Sequence, residues 1–147
     1  MKKNTLYKNI ALKKYNSWKV GGTAEKLYIC ADKELLSEGI NHKRITPPFT
    51  FIGLGSNLLI RDGGVKGTVI IMHGGLSKIN LEKDIFYAEA GVSCSKLSKF
   101  IARNSFIHSA FLAGIPGTIG GALSKNAGCY GSETWDFVEN VLVINDK

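Results

Sequence analysis

The 147-residue sequence is short of the residues by which chemistry is usually read from a chain. It has three cysteines, Cys30, Cys94 and Cys129, and no C-x-x-C pair. An odd set, far apart and without a secretory leader, excludes a disulfide framework and predicts reduced thiols in a cytoplasmic setting. Three histidines, His42, His73 and His108, fall without ligand spacing, so no metal site is expected. No Gly-Lys-Ser/Thr is present, which excludes a P-loop, and no Gly-x-Ser-x-Gly, which excludes a nucleophile elbow. No apolar run approaches a membrane span, so no membrane partner is expected. Met1-Lys2-Lys3 imitates the start of a signal peptide, but Lys8, Lys13 and Lys14 interrupt any apolar stretch behind it. Glu89 and Glu133 stand alone beside glycines and read as loop anchors. No catalytic residue is predicted within the chain.

Glycine is what the sequence has in excess, 17 of 147 residues against a usual ~7%. All but Gly39 fall in short clusters. The densest stretch, Phe111–Gly131, carries six glycines and Pro116. Glycine costs more conformational entropy on folding than any other residue, so such a segment serves positive φ or close approach of a ligand. Thr118 is placed to cap a helical turn through Ile119–Asn126. The unpaired amides of that helix start would suit an anionic or carbonyl-rich ligand. A second cluster, Gly53-Leu54-Gly55-Ser56-Asn57-Leu58-Leu59, begins like a dinucleotide fingerprint. It has leucine at the third glycine position and no long helix behind it, which departs from a Rossmann turn. What remains is a turn whose amides can form a nest for phosphate oxygens, with a plain β-turn as the alternative.

Charge is uneven. The net charge is +7, and residues 1–44 hold ten Lys/Arg against four Asp/Glu. Tyr7, Tyr15, Trp18 and Tyr28 interleave with these cations, as in nucleic-acid binders. The lysines are scattered and no nucleic-acid motif follows, so a solvated surface is the preferred reading and no nucleic-acid partner is expected, with a basic RNA-binding protein using residues 1–44 as the lesser alternative.

Along the chain, strands are predicted at Lys26–Cys30, Thr50–Leu54, Thr68–Met72 and Phe137–Ile144. A hairpin is predicted from Leu76–Asn80 and Ile85–Ala90. Asp32 caps a short helix Lys33–Glu38 ended by Gly39. Ser93 caps a helix whose apolar face is Cys94, Leu97, Phe100 and Ile101. Cys94 reads as part of that face rather than as a reactive thiol.

Six motifs then occur in order: Asn16-Ser-Trp-Lys-Val-Gly-Gly22, Gly53-Leu-Gly-Ser-Asn-Leu-Leu-Ile60, Arg61-Asp-Gly-Gly64, Ala90-Gly91-Val92, Ala113-Gly-Ile-Pro-Gly-Thr-Ile-Gly-Gly-Ala122 and Asn126-Ala-Gly-Cys-Tyr-Gly131. Together they resemble the UDP-N-acetylenolpyruvoylglucosamine reductase (MurB) family, flavoenzymes of peptidoglycan synthesis. The resemblance runs from about residue 9 to the end.

The resemblance implies an α/β (α+β) fold, a two-lobed FAD-binding domain of the vanillyl-alcohol-oxidase type. It implies an N-terminal arm (1–15), a first lobe (16–74) and a second lobe (75–147), left incomplete. Gly53, Leu54, Gly55, Ser56, Asn57, Leu58 and Leu59 would wrap the FAD pyrophosphate. A side chain at Gly55 would block a positive φ there or the approach to the pyrophosphate. Ala90 and Gly91, then Gly114, Ile115, Pro116, Gly117 and Thr118, then Gly120, Gly121 and Ala122, and finally Asn126 and Gly128, would line the cofactor. FAD would be held without a covalent bond. NADPH and a UDP-sugar would serve the complete enzyme. The family's serine, arginine and glutamate of catalysis follow the Asn-Ala-Gly-x-Tyr-Gly motif, and the chain stops at Lys147 before them. The expectation is an FAD-binding part, inactive alone or working with a C-terminal partner chain. Ser17 stands where the family has threonine, and Cys129 where it has a small residue.

Overall fold

The computed structural model describes residues 5–106 and 108–144. Its main sheet has four strands in the order β1-β2-β4-β3: β1 is Thr5–Ala11, β2 Thr23–Ile29, β3 Phe49–Ile52 and β4 Val65–Ile71. β1 pairs antiparallel with β2, while β2 and β3 both run parallel to β4. Residues 5–11, read from sequence as part of an arm, are thus an edge strand of this sheet.

β4 is central, and Thr68, Val69, Ile70 and Ile71 are all buried. A parallel strand covered on both faces needs such an uninterrupted apolar run. Alternate residues serve two cores. Leu12, Leu27, Val69 and Ile71 pack on one face with Ile52 and Ile60. Tyr28, Cys30, Ile70 and Leu36 pack on the other with Ile45 and Leu76. Leu36 comes from α1, Lys33–Asn41. Asp32 caps α1 by accepting from the amides of Glu34 (2.9 Å) and Leu35 (3.2 Å).

Beyond β4 the chain makes a hairpin of β5 (Ile79–Glu82) and β6 (Ile85–Ala88), then α2 (Cys94–Arg103), a 3-10 turn at Ala110–Gly114, and α3 (Ile119–Lys125). A small hairpin, β7 (Gly128–Cys129) and β8 (Ser132–Glu133), follows, and then a 3-10 turn at Thr134–Phe137. A third core joins Val92, Cys94, Leu97, Ile101, Phe111, Leu112, Ile115, Ile119 and Ala122. Ser93 caps α2 through the Lys96 amide, as its sequence position predicts. Burial pushes the thiols of Cys30 and Cys94 up to about 11, so Cys94 is a packing residue.

Four expectations are corrected. Gly39 does not end α1, which continues to Asn41; Gly39 lies against Ile45, where there is ordinary contact room for a Cβ. The run Thr50–Leu54 is not a buried strand. β3 is a four-residue edge strand in which Phe51 is 56% exposed. The first arm of the hairpin begins only at Ile79, because Leu76 packs back into the core under the main sheet. Phe137–Ile144 forms no strand among the described residues; Phe137 closes a 3-10 turn and Val138–Ile144 runs without a ladder. A hairpin turn expected at Asn145-Asp146-Lys147 lies outside the described residues.

Candidate cofactor site

The twelve-residue connection from β3 to β4 carries the first glycine turn, so Gly53–Asn57 sits at the carboxyl end of a parallel strand. That is the edge at which open α/β sheets bind ligands. Among the described residues, the backbone amides of Leu54, Gly55, Ser56 and Asn57 donate to no protein acceptor. Successive free amides of this kind make a nest for an anion.

The turn rests on the segment after β1. Ser17 donates its amide to the Gly55 carbonyl (3.0 Å). Gly55 has φ +67°, and an added Cβ would run into the carbonyl of Tyr15 and lie 2.7 Å from Cα of Asn16. The glycine is therefore demanded by its positive φ, one of the two reasons expected of it, and by the protein's own packing. Asn16, almost fully buried, holds this segment by donating Nδ2 to the carbonyls of Leu12 (3.0 Å) and Val20 (2.9 Å). Its Oδ1 is buried with no partner among the described residues. In the sequence Asn16 is one residue of a motif, and nothing in its type marks it as the support of the turn.

The second glycine loop arrives from the other side. A Cβ at Gly53 would strike the Thr118 hydroxyl, and one at Gly117 would lie 3.8 Å from Ser56 Oγ. The two loops, 61 residues apart between Ser56 and Gly117 in sequence, thus meet edge to edge. Ala90–Ser93 joins them: Gly120 donates to Ala90 (2.9 Å), Ile119 to Val92 (2.8 Å), and Cys94 to Gly117 (2.9 Å). Thr118 caps α3 by accepting from Gly121 (3.4 Å).

These bonds correct one expectation. The first amides of α3 are spent on Ala90, Val92 and Thr118 and are not free for an anion. What the loop offers is space. A Cβ at Gly117 or Gly121 would meet only atoms at 3.6 Å or beyond. Gly120, by contrast, is pressed on Ala90, and Gly91 on the carbonyls of Met72 and Leu76. Gly114 is pressed on the Cys129 sulfur, and Gly128 lies against Ser132.

The remaining predicted residues divide by place. Ile115 and Ala122 belong to the third core, and Leu58 packs on the first. Leu54, Leu59 and Pro116 are exposed. Asn126 sits at φ +45° as the C-cap of α3. It donates to Glu133 (2.6 Å) and accepts from the Trp135 amide (3.1 Å). Glu133 is thus the loop anchor its isolation implies. Among the described residues no group of His, Cys, Asp and Glu could hold a metal ion, and no helix is long and apolar enough to cross a membrane.

Residues 41–147 match the family described as FAD binding domain. The chain belongs to that family. A family of this description accords with the free amides of 54–57 and the open flank of Gly117 and Gly121. The chain is similar to the UDP-N-acetylenolpyruvoylglucosamine reductases of Nitrosospira multiformis (47% identity, 91% of this chain, 40% of the relative) and Legionella pneumophila (46%, 97% and 48%). It is also similar to the crystal structure of that reductase (MurB) from Thermus caldophilus, with a TM-score of 0.66 and 29% identity, over 91% of this chain and 46% of the other. The resemblance read from the six motifs therefore stands, with the mixed α/β fold it implied. The chain spans less than half the length of these relatives and corresponds to their N-terminal portion.

Proposed function

We propose that this chain is the FAD-holding part of a reductase that makes UDP-N-acetylmuramate from UDP-N-acetylglucosamine enolpyruvate in the cytoplasm, for peptidoglycan synthesis. The observation that carries the reading is the seam between the 53–57 turn and the 117–121 loop. The turn has amides without a protein acceptor among the described residues, and the loop that meets it has unobstructed backbone at Gly117 and Gly121. The amides of Leu54–Asn57, with the Ser56 and Asn57 side chains, would hold the pyrophosphate. Gly117 and Gly121 would let the cofactor lie close against the chain, with Ala90, Gly91 and Gly114–Thr118 shaping that wall. Gly128 and Asn126 act one step back, by fixing the α3–β7 junction. When bound, FAD would supply the hydride relay between NADPH and the enolpyruvyl double bond. The protein's share here is to bind, orient and shield the cofactor.

One observation favours a further polypeptide segment as partner. Leu142 and Val143 are 75% and 72% exposed, and the run Val141–Ile144 has no strand partner among the described residues. An exposed apolar segment of this kind can pair with another segment. Catalytic groups would come from that segment.

The test is the visible spectrum of the purified chain. Flavin absorbance that co-elutes with the protein, and passes wholly to the supernatant on acid precipitation, is the expected outcome. A colourless chain that leaves added FAD fluorescence unchanged would reject the assignment.

A further inference from the structure

α2 carries a second candidate surface on the side that faces away from its core. Its sequence, Cys94-Ser-Lys-Leu-Ser-Lys-Phe-Ile-Ala-Arg103, contains no acidic residue. Cys94, Leu97, Ser98 and Ile101 are buried. The opposite side brings Lys96, Lys99 and Arg103 round a depression of about 260 Å³, lined also by Ser95, Phe100 and Ile79 of β5. The spacing i, i+3, i+7 puts the three cations on one face. No carboxylate lies within ion-pair distance of any of them among the described residues. Among the described residues the Lys96 ammonium makes one long bond, to the Ser77 carbonyl at 3.4 Å.

The depression therefore has an apolar floor and an uncompensated cationic rim. Phe100 is half-buried and already packed edge-on against Phe86 (6.1 Å, 90°), so its ring is not free to stack on a nucleobase. A lone phosphate would leave the floor unused. Ile79 and Phe100 are both half-buried, which leaves little apolar surface for a flat anionic bilayer. An acidic peptide uses both features: one apolar side chain enters the depression and flanking carboxylates meet the rim. We propose that the outward face of α2 with Ile79 docks an acidic segment of a partner protein, through one buried apolar side chain flanked by Asp or Glu. This site is independent of the flavin assignment.

The experiment uses the full chain and a fluorescent peptide of sequence Glu-Glu-Asp-Phe-Asp-Glu-Glu, read by anisotropy. Saturable binding that weakens as salt rises to about 0.15 M is expected. Lys99→Glu with Arg103→Glu should weaken it at least about tenfold, because like charges then face each other. Ile79→Ser should weaken it with the charges intact, and replacing the peptide's phenylalanine by serine should do the same. All substitutions alter exposed or half-buried positions, and melting curves check that they remain folded. Peptide affinity unchanged in these variants would overturn the proposal. So would tighter binding to oligothymidylate, to inorganic phosphate or to phosphatidylglycerol vesicles than to the peptide.

Discussion

At the scale of single residues, two glycines that look alike in sequence have opposite tasks. Gly55 is locked by positive φ and the Tyr15 carbonyl, whereas Gly117 has room around it. Gly55→Ala should lower stability by roughly 1–3 kcal/mol, the range for a non-glycine residue forced into a rare backbone region, with the collision adding to it. Chemical denaturation would measure the loss, and a wild-type midpoint would contradict it. Thr118→Ala removes the α3 cap and the group that fills the space over Gly53. It should cost about 0.5–2 kcal/mol. The need for glycine at 55 and its positive φ are legible from sequence; the pressure of Tyr15 and Asn16 on it is not, because that contact joins segments about forty residues apart. The thiols follow the same logic. Cys30 and Cys94, raised to about 11 by burial, should resist alkylation at pH 8 while the chain is folded and react on denaturation. Prompt labelling of either in the folded chain would contradict the packing described.

At the scale of elements, local rules worked wherever a side chain meets its own backbone. Asp32, Ser93 and Thr118 each cap the helix that their position predicts. The β5–β6 turn also falls where Leu81–Asp84 placed it, with Lys83 at φ +55°. Failures came where partners decide. Phe51 looks like core by composition but lies on an edge strand with one neighbour. Val141–Ile144 alternates like a strand yet has none to pair with among the described residues. The amides at the start of α3 were expected to be free, but the chain's own Ala90 and Val92 claim them. Asp32 gives this scale its pH prediction. Its hydrogen bonds, to Glu34 first and then to the Leu35 amide, hold its pKa below the ordinary 3.8. A depressed carboxyl contributes stability that is full above its unfolded value and is lost as pH falls through the folded one. The chain should therefore lose helix α1 on acidification below about pH 4 sooner in Asp32-intact protein than in Asp32→Asn, whose cap cannot titrate. Equal acid profiles by circular dichroism would contradict this.

At the scale of the whole molecule, a sheet with both faces covered and a separate core under α2 and α3 bring two distant glycine loops into one seam. Six motifs in order were enough to point to the family, although none of them showed how the loops meet. If the seam holds FAD and the reacting groups lie in a further segment, the chain should show no NADPH oxidation dependent on UDP-N-acetylglucosamine enolpyruvate. Adding the C-terminal part of a relative should restore it. The most direct measurement compares Gly117→Val with the parent chain, by FAD fluorescence titration and thermal melting in parallel. The seam predicts a folded variant with a near-parental melting temperature that has lost FAD affinity at least about tenfold, since a side chain there fills the space left for the cofactor. Undiminished FAD binding by a folded Gly117→Val chain would contradict it.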